Sequence, residues 1–260
     1  MRWGLIALFL LISVGGTYLA VALRPKTDIP RYTYEIIKKT KHDATAFTQG
    51  LVIADGVLWE STGRYGESSI RKIDLKTGDI LAQEPLDDGY FGEGLTVLGD
   101  QLIQLTWKSG KAFIYDQSLK QVSEFEYSGE GWGLTSDGSE LILSDGSSTL
   151  KFLDPKTYKV LRTVRVRRAD GRRIGELNEL EYAGGKVYAN VYKSDFLYEI
   201  DPKTGDVTMI IELGGLWPKR ERPVDGLLNG IAAIPGKRTM LVTGKLCPTL
   251  YEVRLVPVKD

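Results

Sequence analysis

The sequence predicts an all-β protein, a five-bladed β-propeller, and three observations support this. Beyond residue 30 the chain consists of short runs rich in Val, Ile, Leu and Tyr, separated by DG, GD, GG and PG turns. No long stretch has the periodicity of an amphipathic helix. A segment of strand, tight turn and strand occurs five times, at a spacing typical of propeller blades.

The five copies align on a buried-type aliphatic residue. They are TQGLVIADGVLWEST (48–62), GEGLTVLGDQLIQLT (92–106), GWGLTSDGSELILSD (131–145), LNELEYAGGKVYANV (177–191) and LNGIAAIPGKRTMLVT (228–243). The aligned Leu51, Leu95, Leu134, Leu180 and Ile231 are 44, 39, 46 and 51 residues apart. A blade of four strands takes about 40–50 residues, so each copy, with the third strand that follows it, predicts one blade.

The N-terminal strand is predicted to close the last blade. The fifth copy stops after its third strand, near Leu255, while the segment YTYEIIKKT (32–40) precedes the first copy. If that segment supplies the missing outer strand, no open sheet edge is left to template aggregation. A β-sandwich with accidental internal similarity is the alternative.

The N-terminus predicts export. Residues 3–23 carry no charge and are followed by Arg24, Pro25 and Lys26, and about 20 apolar residues span a bilayer. Ala20-Val21-Ala22 also offers an A-x-A cleavage pattern, so residues 1–26 are either a signal peptide or a membrane anchor. Both alternatives place the propeller domain, residues 27–260, in the periplasm or outside the cell. Membrane contact is then expected only through residues 3–23, if they stay uncleaved.

The composition excludes several classes of function. The 34 basic residues balance the 34 acidic ones, which gives no support for a nucleic-acid partner. Cys247 is the single cysteine, so no intramolecular disulfide is expected, and with His42 as the single histidine no His/Cys zinc site can form. A Ser-His-Asp triad would need His42, and no GxSxG turn accompanies it. We expect no metal at the site.

The repeat also predicts where a functional site lies. In a propeller the first strand of every blade lines the central channel, so the residues entering those strands converge at one mouth. Gln49 and Glu93 hold the same repeat position, each one residue before a glycine. An aromatic wall typical of a small-molecule pocket surrounds them: Phe47, Phe91, Trp107 and Trp132. Such a wall desolvates Glu93 and raises its pKa towards the range useful for proton transfer. A hydrogen-bonded plug of the channel is the alternative, and a two-acid glycosidase is poorly supported.

Several strings in the chain carry a family resemblance. They are HDATAFTQGL, WESTGRYGESSIRKIDLKTG, FGEGLT, LIQLTWK, EGWGLTSDG, LNELE and TGKLCPTLYEV, in this order from His42 to Leu255. With them the chain resembles the plant-type glutaminyl-peptide cyclotransferases, also called glutamine cyclotransferases.

The resemblance implies both an activity and a set of site residues. It implies a five-bladed propeller that converts the N-terminal glutamine of a peptide or protein to pyroglutamate and releases ammonia. It implies that Glu93 is the general acid and base, without a required cofactor, and it allows a structural calcium ion in the channel. The residues that it places around the substrate are Phe47, Gln49, Phe91, Trp107, Trp132, Asn178, Tyr192 and Lys245.

Two positions depart from the family pattern. Tyr192 and Cys247 stand where the family usually has Trp. Tyr192 keeps an aromatic face but adds a hydroxyl group, so the shape of the pocket is expected to differ. Cys247 is expected to be a small buried residue, not a nucleophile. The alternative function is a non-enzymatic extracytoplasmic propeller that binds a ligand or partner, because one fold hosts many functions.

Overall fold

The chain is almost wholly β-structure in the computed structural model, which describes residues 11–14, 17–20 and 28–258. One turn of 3-10 helix, Lys219–Glu221, is the exception among these residues. In chain order the strands are β1 (Leu11–Val14), β2 (Thr17–Ala20), β3 (Arg31–Lys41), β4 (Thr48–Ala54), β5 (Val57–Thr62), β6 (Ser69–Ile73), β7 (Ile80–Pro85), β8 (Gly92–Leu98), β9 (Gln101–Thr106), β10 (Lys111–Tyr115), β11 (Gln121–Glu126), β12 (Leu134–Ser136), β13 (Leu141–Ser144), β14 (Thr149–Leu153), β15 (Val160–Arg165), β16 (Leu177–Ala183), β17 (Lys186–Val191), β18 (Phe196–Ile200), β19 (Val207–Glu212), β20 (Leu227–Ala233), β21 (Thr239–Lys245) and β22 (Thr249–Pro257). The all-β prediction is confirmed.

The sheets follow the sequence repeat, with one difference. The first three copies form separate four-stranded antiparallel sheets, β4–β7, β8–β11 and β12–β15. The last two copies share one eight-stranded sheet, in the order β16-β17-β18-β19-β3-β22-β21-β20. They merge because Arg31 and Tyr32 of β3 also pair in parallel with Ile210 and Ile211 of β19. Strands β1 and β2 pair with each other.

The N-terminal strand lies beside the C-terminal one. β3 pairs antiparallel with β22 from Lys41, opposite Thr249, to Tyr32, opposite Pro257. The segment predicted at 32–40 is therefore a strand, one residue longer at each end. This pairing covers the outer edge of the last copy.

The first strands of the five copies pack around a common axis. β4 contacts β8, β8 contacts β12, β12 contacts β16, β16 contacts β20, and β20 contacts β4 again. Glycine permits the close approach: a Cβ on Gly94 would overlap the backbone of Gly133 and Leu134, and one on Gly133 would overlap the carbonyl of Asn178. The glycines that flank Glu93 and its counterparts thus serve the crowding at the axis.

The hydrophobic core lies between neighbouring sheets. Ile103, Leu105 and Ile114 of the second copy, for example, pack in one buried cluster with Leu134 and Leu141 of the third. Alternate side chains of each strand face such a cluster, which is the period-two pattern read in the sequence.

Most of the predicted export segment, residues 1–26, lies outside the described residues, which include only β1 and β2 of it. In the described part of the chain, no helix is long and apolar enough to cross a membrane.

Candidate active site

A pocket of about 290 Å³ opens at one end of the axis. It brings together all nine residues predicted for the site. Its lining consists of Phe47, Gln49, Phe91, Glu93, Trp107, Trp132, Asn178, Tyr192 and Lys245, together with Asp225. Aromatic walls around a few polar groups are typical of a binding site for a small ligand.

The repeat explains how distant residues meet there. Gln49, Glu93 and Asn178 each lie second in the first strand of a copy, and Lys245 ends β21. The aromatic residues lie just outside the strands, in the segments that enter or leave them at the same end. Each backbone segment is short and tied to a strand, so the walls of the pocket have a rigid base.

Glu93 is a buried carboxyl group with few partners. Glu93 is only 5% exposed, and its Oε1 accepts a hydrogen bond from Gln49 Nε2 at 2.8 Å. Burial raises the pKa of Glu93 well above its ordinary value; the nearby Lys245 opposes this shift, and the charge of Glu130 adds to it. The carboxyl group is therefore held in its proton-bearing form over a wider pH range than an exposed glutamate.

The amide of Gln49 has a defined orientation. Asn229 Nδ2 donates to the carbonyl of Thr48 at 3.0 Å and to Gln49 Oε1 at 3.4 Å. With its oxygen thus engaged, Gln49 directs its NH₂ group to Glu93. Asn178 Oδ1 is buried and has no hydrogen-bond partner in the described part of the chain, so it is an acceptor available to a ligand.

The aromatic walls are built from edge-to-face pairs. Phe91 contacts Phe47 at a centroid distance of 6.1 Å and Trp107 at 5.5 Å. On the opposite wall, Trp132 meets Tyr192 at 5.7 Å with the rings inclined by 80°. Tyr192, which stands where the family usually has Trp, thus keeps an aromatic contact with Trp132.

Lys245 is a buried cation between two of the rings. Its Nζ lies 4.8 Å from the ring centre of Phe47 and 5.4 Å from that of Tyr192. Burial lowers the pKa of Lys245, while the charges of Glu93 and Asp225 oppose that shift. A buried ammonium group beside aromatic faces is well suited to stabilise a negative charge that develops next to it.

Comparison with known proteins identifies the family. The model of the family described as Glutamine cyclotransferase matches residues 9–255 of the chain. The chain belongs to the glutamine cyclotransferase family. The glutaminyl-peptide cyclotransferase of Arabidopsis thaliana is 45% identical over 228 residues, which are 85% of this chain and 71% of that protein.

Solved structures agree with this membership. The crystal structure of Myxococcus xanthus glutaminyl cyclase is similar with a TM-score of 0.83 and 36% identity, over 89% of this chain and all of that one. The β-propeller domain of Cps50 (Swd1) from Myceliophteria thermophila, at 10% identity and a TM-score of 0.50, covers 86% of this chain and shows the likeness of fold alone. The glutamine cyclotransferase fold of this chain is thus propeller-like.

Two residues of this glutamine cyclotransferase site were missed from the sequence. Asp225 lines the pocket, but it lies in the segment before β20, outside the aligned copies. Glu130 lies behind the wall, where its Oε2 accepts the indole N–H of Trp107 at 2.8 Å and of Trp132 at 2.9 Å. The signal for Glu130 was its place in EGWG, next to the aligned copy.

His42 and Cys247 lie below the pocket of this family member, not in its lining. His42 is buried, with Nε2 2.9 Å from Glu60 Oε1 and Nδ1 2.6 Å from the Cys247 carbonyl oxygen. Cys247 is a free, buried thiol, as predicted. The pairing of His42 with Glu60 had no signal in the sequence.

The family resemblance allows a structural calcium ion in the channel. Calcium takes six to eight oxygen ligands. The described ranges hold no group of three or more His, Cys, Asp or Glu side chains that could bind a metal. Glu179, in the first strand of the fourth copy, accepts the backbone N–H of Leu51 at 3.2 Å and of Ile231 at 3.0 Å.

Proposed function

We propose that this protein is a glutaminyl-peptide cyclotransferase, which converts the N-terminal glutamine of a peptide or protein to pyroglutamate and releases ammonia. The observation that carries the proposal is Glu93, a carboxyl group that lines an aromatic pocket and whose pKa is raised by burial. The family membership supports it, as does the name of the Arabidopsis thaliana relative.

The chemistry needs one group that both gives and takes a proton. The α-nitrogen of the substrate attacks its own side-chain amide carbon, the new N–C bond forms, and the bond to the amide nitrogen breaks. Protonated Glu93 donates to the departing nitrogen, which leaves as ammonia. The resulting carboxylate takes the proton from the attacking nitrogen and returns to its starting form.

The pocket supplies orientation and charge. Both reacting groups belong to one residue, so the main task is to fold the glutamine side chain into the cyclising rotamer. Phe91, Trp107 and Trp132 clamp this side chain, and the open acceptor Asn178 Oδ1 receives one of its N–H groups. Lys245 stabilises the oxyanion that forms when the carbonyl carbon becomes tetrahedral.

We further infer that the fold is a five-bladed propeller. The support is the ring of five first strands and the count of four strands around each. β3 is then the outer strand of the last blade, beside β22. The domain is assigned to residues 27–260, and residues 1–26 to export into the periplasm or the extracellular space, with membrane contact through residues 3–23 if they stay uncleaved. No cofactor enters the reaction.

A direct assay tests the activity. The full chain is incubated with a peptide that begins with glutamine, and ammonia release and the loss of one ammonia in mass are recorded. We expect cyclisation well above the spontaneous rate, and a loss of about 10²–10⁴ in kcat for Glu93→Gln, the usual contribution of a general acid and base.

The control is Glu124→Gln, which makes the same chemical change on the exposed strand β11. Full activity of Glu93→Gln would refute the mechanism. A well-folded but inactive wild type would favour the alternative, an extracytoplasmic propeller that binds a ligand or partner.

A further inference from the structure

One carboxylate oxygen joins two walls of the pocket. Trp107 follows β9 of the second copy and Trp132 precedes β12 of the third. The indole N–H groups of both nevertheless donate to Glu130 Oε2, at 2.8 and 2.9 Å. An indole N–H can only donate, so both hydrogen bonds run towards the carboxylate. Bonds to a charged acceptor are about twice as strong as neutral ones.

We propose that Glu130 is a positioning residue, which holds the Trp107 and Trp132 indoles in one relative orientation around the substrate. It touches neither the substrate nor the reacting atoms in this assignment; it acts through the two rings. The inference rests on the proposed function, because it names what keeps that pocket in its productive shape.

The backbone alone does not orient these rings. The amide of Trp107 donates to the Phe91 carbonyl at 2.9 Å, and the amide of Gly131 donates to the Trp107 carbonyl at 3.0 Å. These bonds place Glu130 beside Trp107, but they leave the side-chain torsions of both tryptophans free. Both tryptophans are only partly buried, so core packing does not restrict their rotamers fully. The shared hydrogen-bond acceptor removes that freedom.

The charge of Glu130 has a second consequence at Glu93. It adds to the effect of burial in raising the pKa of Glu93, whereas Lys245 opposes it. Tyr127 also faces this region, and burial raises its pKa to about 12 with a smaller contribution from Glu93. Further titratable or charged groups around the pocket are Asp225 and Tyr192 in its lining, Lys108, 3.9 Å from the ring centre of Trp107, and Arg64, 4.6 Å from that of Phe47. Glu130→Gln would keep an acceptor oxygen for the indoles but remove the charge. The effect of Glu130 on ring orientation can therefore be measured separately from its effect on the pKa of Glu93.

The kinetic test uses the full chain and a peptide that begins with glutamine. Glu130→Ala is expected to lower kcat/KM about 10- to 100-fold, with kcat as well as KM affected, since a misplacement of 1 Å can cost about 10²-fold. Glu130→Gln is expected to stay within about threefold of wild type at its own pH optimum. Its alkaline limb, however, should move to lower pH, because Glu93 loses its proton more readily. Glu124→Gln, a matched control on β11, should leave both kinetics and pH profile unchanged.

A spectroscopic test separates positioning from loss of stability. The chain has five tryptophans, so ¹⁵N-labelled indoles give a small set of resonances that single Trp→Phe variants assign. In folded Glu130→Ala, we expect the indole N–H signals of Trp107 and Trp132 to shift and to exchange faster with solvent. In Glu130→Gln they should stay near their wild-type positions.

The outcomes distinguish this inference from the proposed function. Wild-type cyclisation rates in Glu130→Ala, or an unmoved pH profile in Glu130→Gln, would overturn the role of Glu130 and leave the activity in place. An inactive wild type would refute the proposed function instead. The indole signals would then still decide the point, because unchanged Trp107 and Trp132 signals in Glu130→Ala would refute the positioning role.

Discussion

Two buried glutamates, Glu93 and Glu60, show how partners decide what a carboxyl group does. Glu60 is fully buried and Glu93 is 5% exposed, so burial alone would raise both pKa values. For Glu60 the charge of His42 and its hydrogen bond, then Arg71 and Thr48, outweigh burial, and its pKa is lowered. For Glu93 burial dominates and its pKa is raised well above the ordinary value.

The surroundings of Glu60 form a closed ionic network. Its Oε1 accepts from His42 Nε2 at 2.9 Å and from the Thr48 hydroxyl at 2.7 Å, while Arg71 Nη1 lies 3.7 Å from Oε2. Both ring nitrogens of His42 face oxygen acceptors, the second being the Cys247 carbonyl, which can only accept. Both nitrogens must therefore carry hydrogen, so His42 is an imidazolium. Burial alone would lower its pKa, but Glu60 raises it.

The difference teaches that neighbouring groups lower the pKa of one buried acid and leave the pKa of the other raised by burial. Glu60 lies between cations and has no access to the pocket. Glu93 receives a single hydrogen bond from a side-chain amide and shares its site with one cation, Lys245. The repeat brings both to the same end of the ring, and only their neighbours separate their roles.

The largest effects are expected when Glu60 and Glu93 are each replaced by glutamine. Glu60→Gln removes the carboxylate that pairs with buried His42 and places an NH₂ group towards Arg71, which keeps its bond to Asp43, so we expect a loss of about 3–5 kcal/mol in the free energy of unfolding. Its kcat at neutral pH should stay within about threefold. Glu93→Gln should do the reverse, with activity lost and the free energy of unfolding not lowered.

Urea unfolding at pH 7 and the peptide assay measure both effects on both variants. Equal losses of stability in the two variants would show that the two acids play the same structural role, and the contrast would be wrong.

A second test removes the single cation beside Glu93. Lys245→Met is expected to lower kcat about tenfold, because the developing oxyanion loses its partner. It should also move the alkaline limb of the pH profile upwards, since Lys245 opposes the raised pKa of Glu93. The measurement is the pH dependence of kcat.

Lys72→Met is the matched control for this change. Its Nζ lies 5.3 Å from the ring centre of Trp59, outside the pocket, so the same substitution removes a similar cation–ring contact. An alkaline limb that stays in place in Lys245→Met would contradict the assigned electrostatics.

The smallest expected effect is a change of stability with pH. A group with a raised folded pKa, such as Glu93, costs stability as pH rises from its unfolded value, about 4.3, towards its folded value. Glu93→Gln should therefore match wild type in Tm near pH 4 and exceed it at pH 7.

The Glu60–His42 pair has a different pH window. The lowered pKa of Glu60 contributes stability that is lost as pH falls through the folded value, and the raised pKa of His42 contributes stability that is lost as pH rises through its own. The difference in stability between wild type and Glu60→Gln should thus be greatest between the folded-state pKa of Glu60 and that of His42. A constant difference from pH 4 to pH 9 in thermal unfolding would refute this account.

Much of the site was predictable because the sequence signals that define each repeat are local. Alternating apolar residues and turn dipeptides define each strand, and a repeat of 39–51 residues places equivalent positions at equivalent heights on the axis. Gln49 and Glu93 follow from that alignment, whereas Asn178, Tyr192 and Lys245 came from the family resemblance. The single deviation in the sheets, the merging of the last two copies, depends on two residues of β3 whose pairing with β19 has no pattern of its own.

The sequence by itself therefore determined the strands, their repeat and the residues that face the axis, since short-range periodicity and turn chemistry decide these. Only the tertiary structure decided which charges neighbour one another: Glu130 beneath two indoles, Asp225 at the pocket, and His42 against Glu60. These contacts join segments far apart in the chain or loops outside the aligned copies. Over such distances a carboxyl group's pKa depends on a few ångströms of placement, and no local pattern encodes that placement.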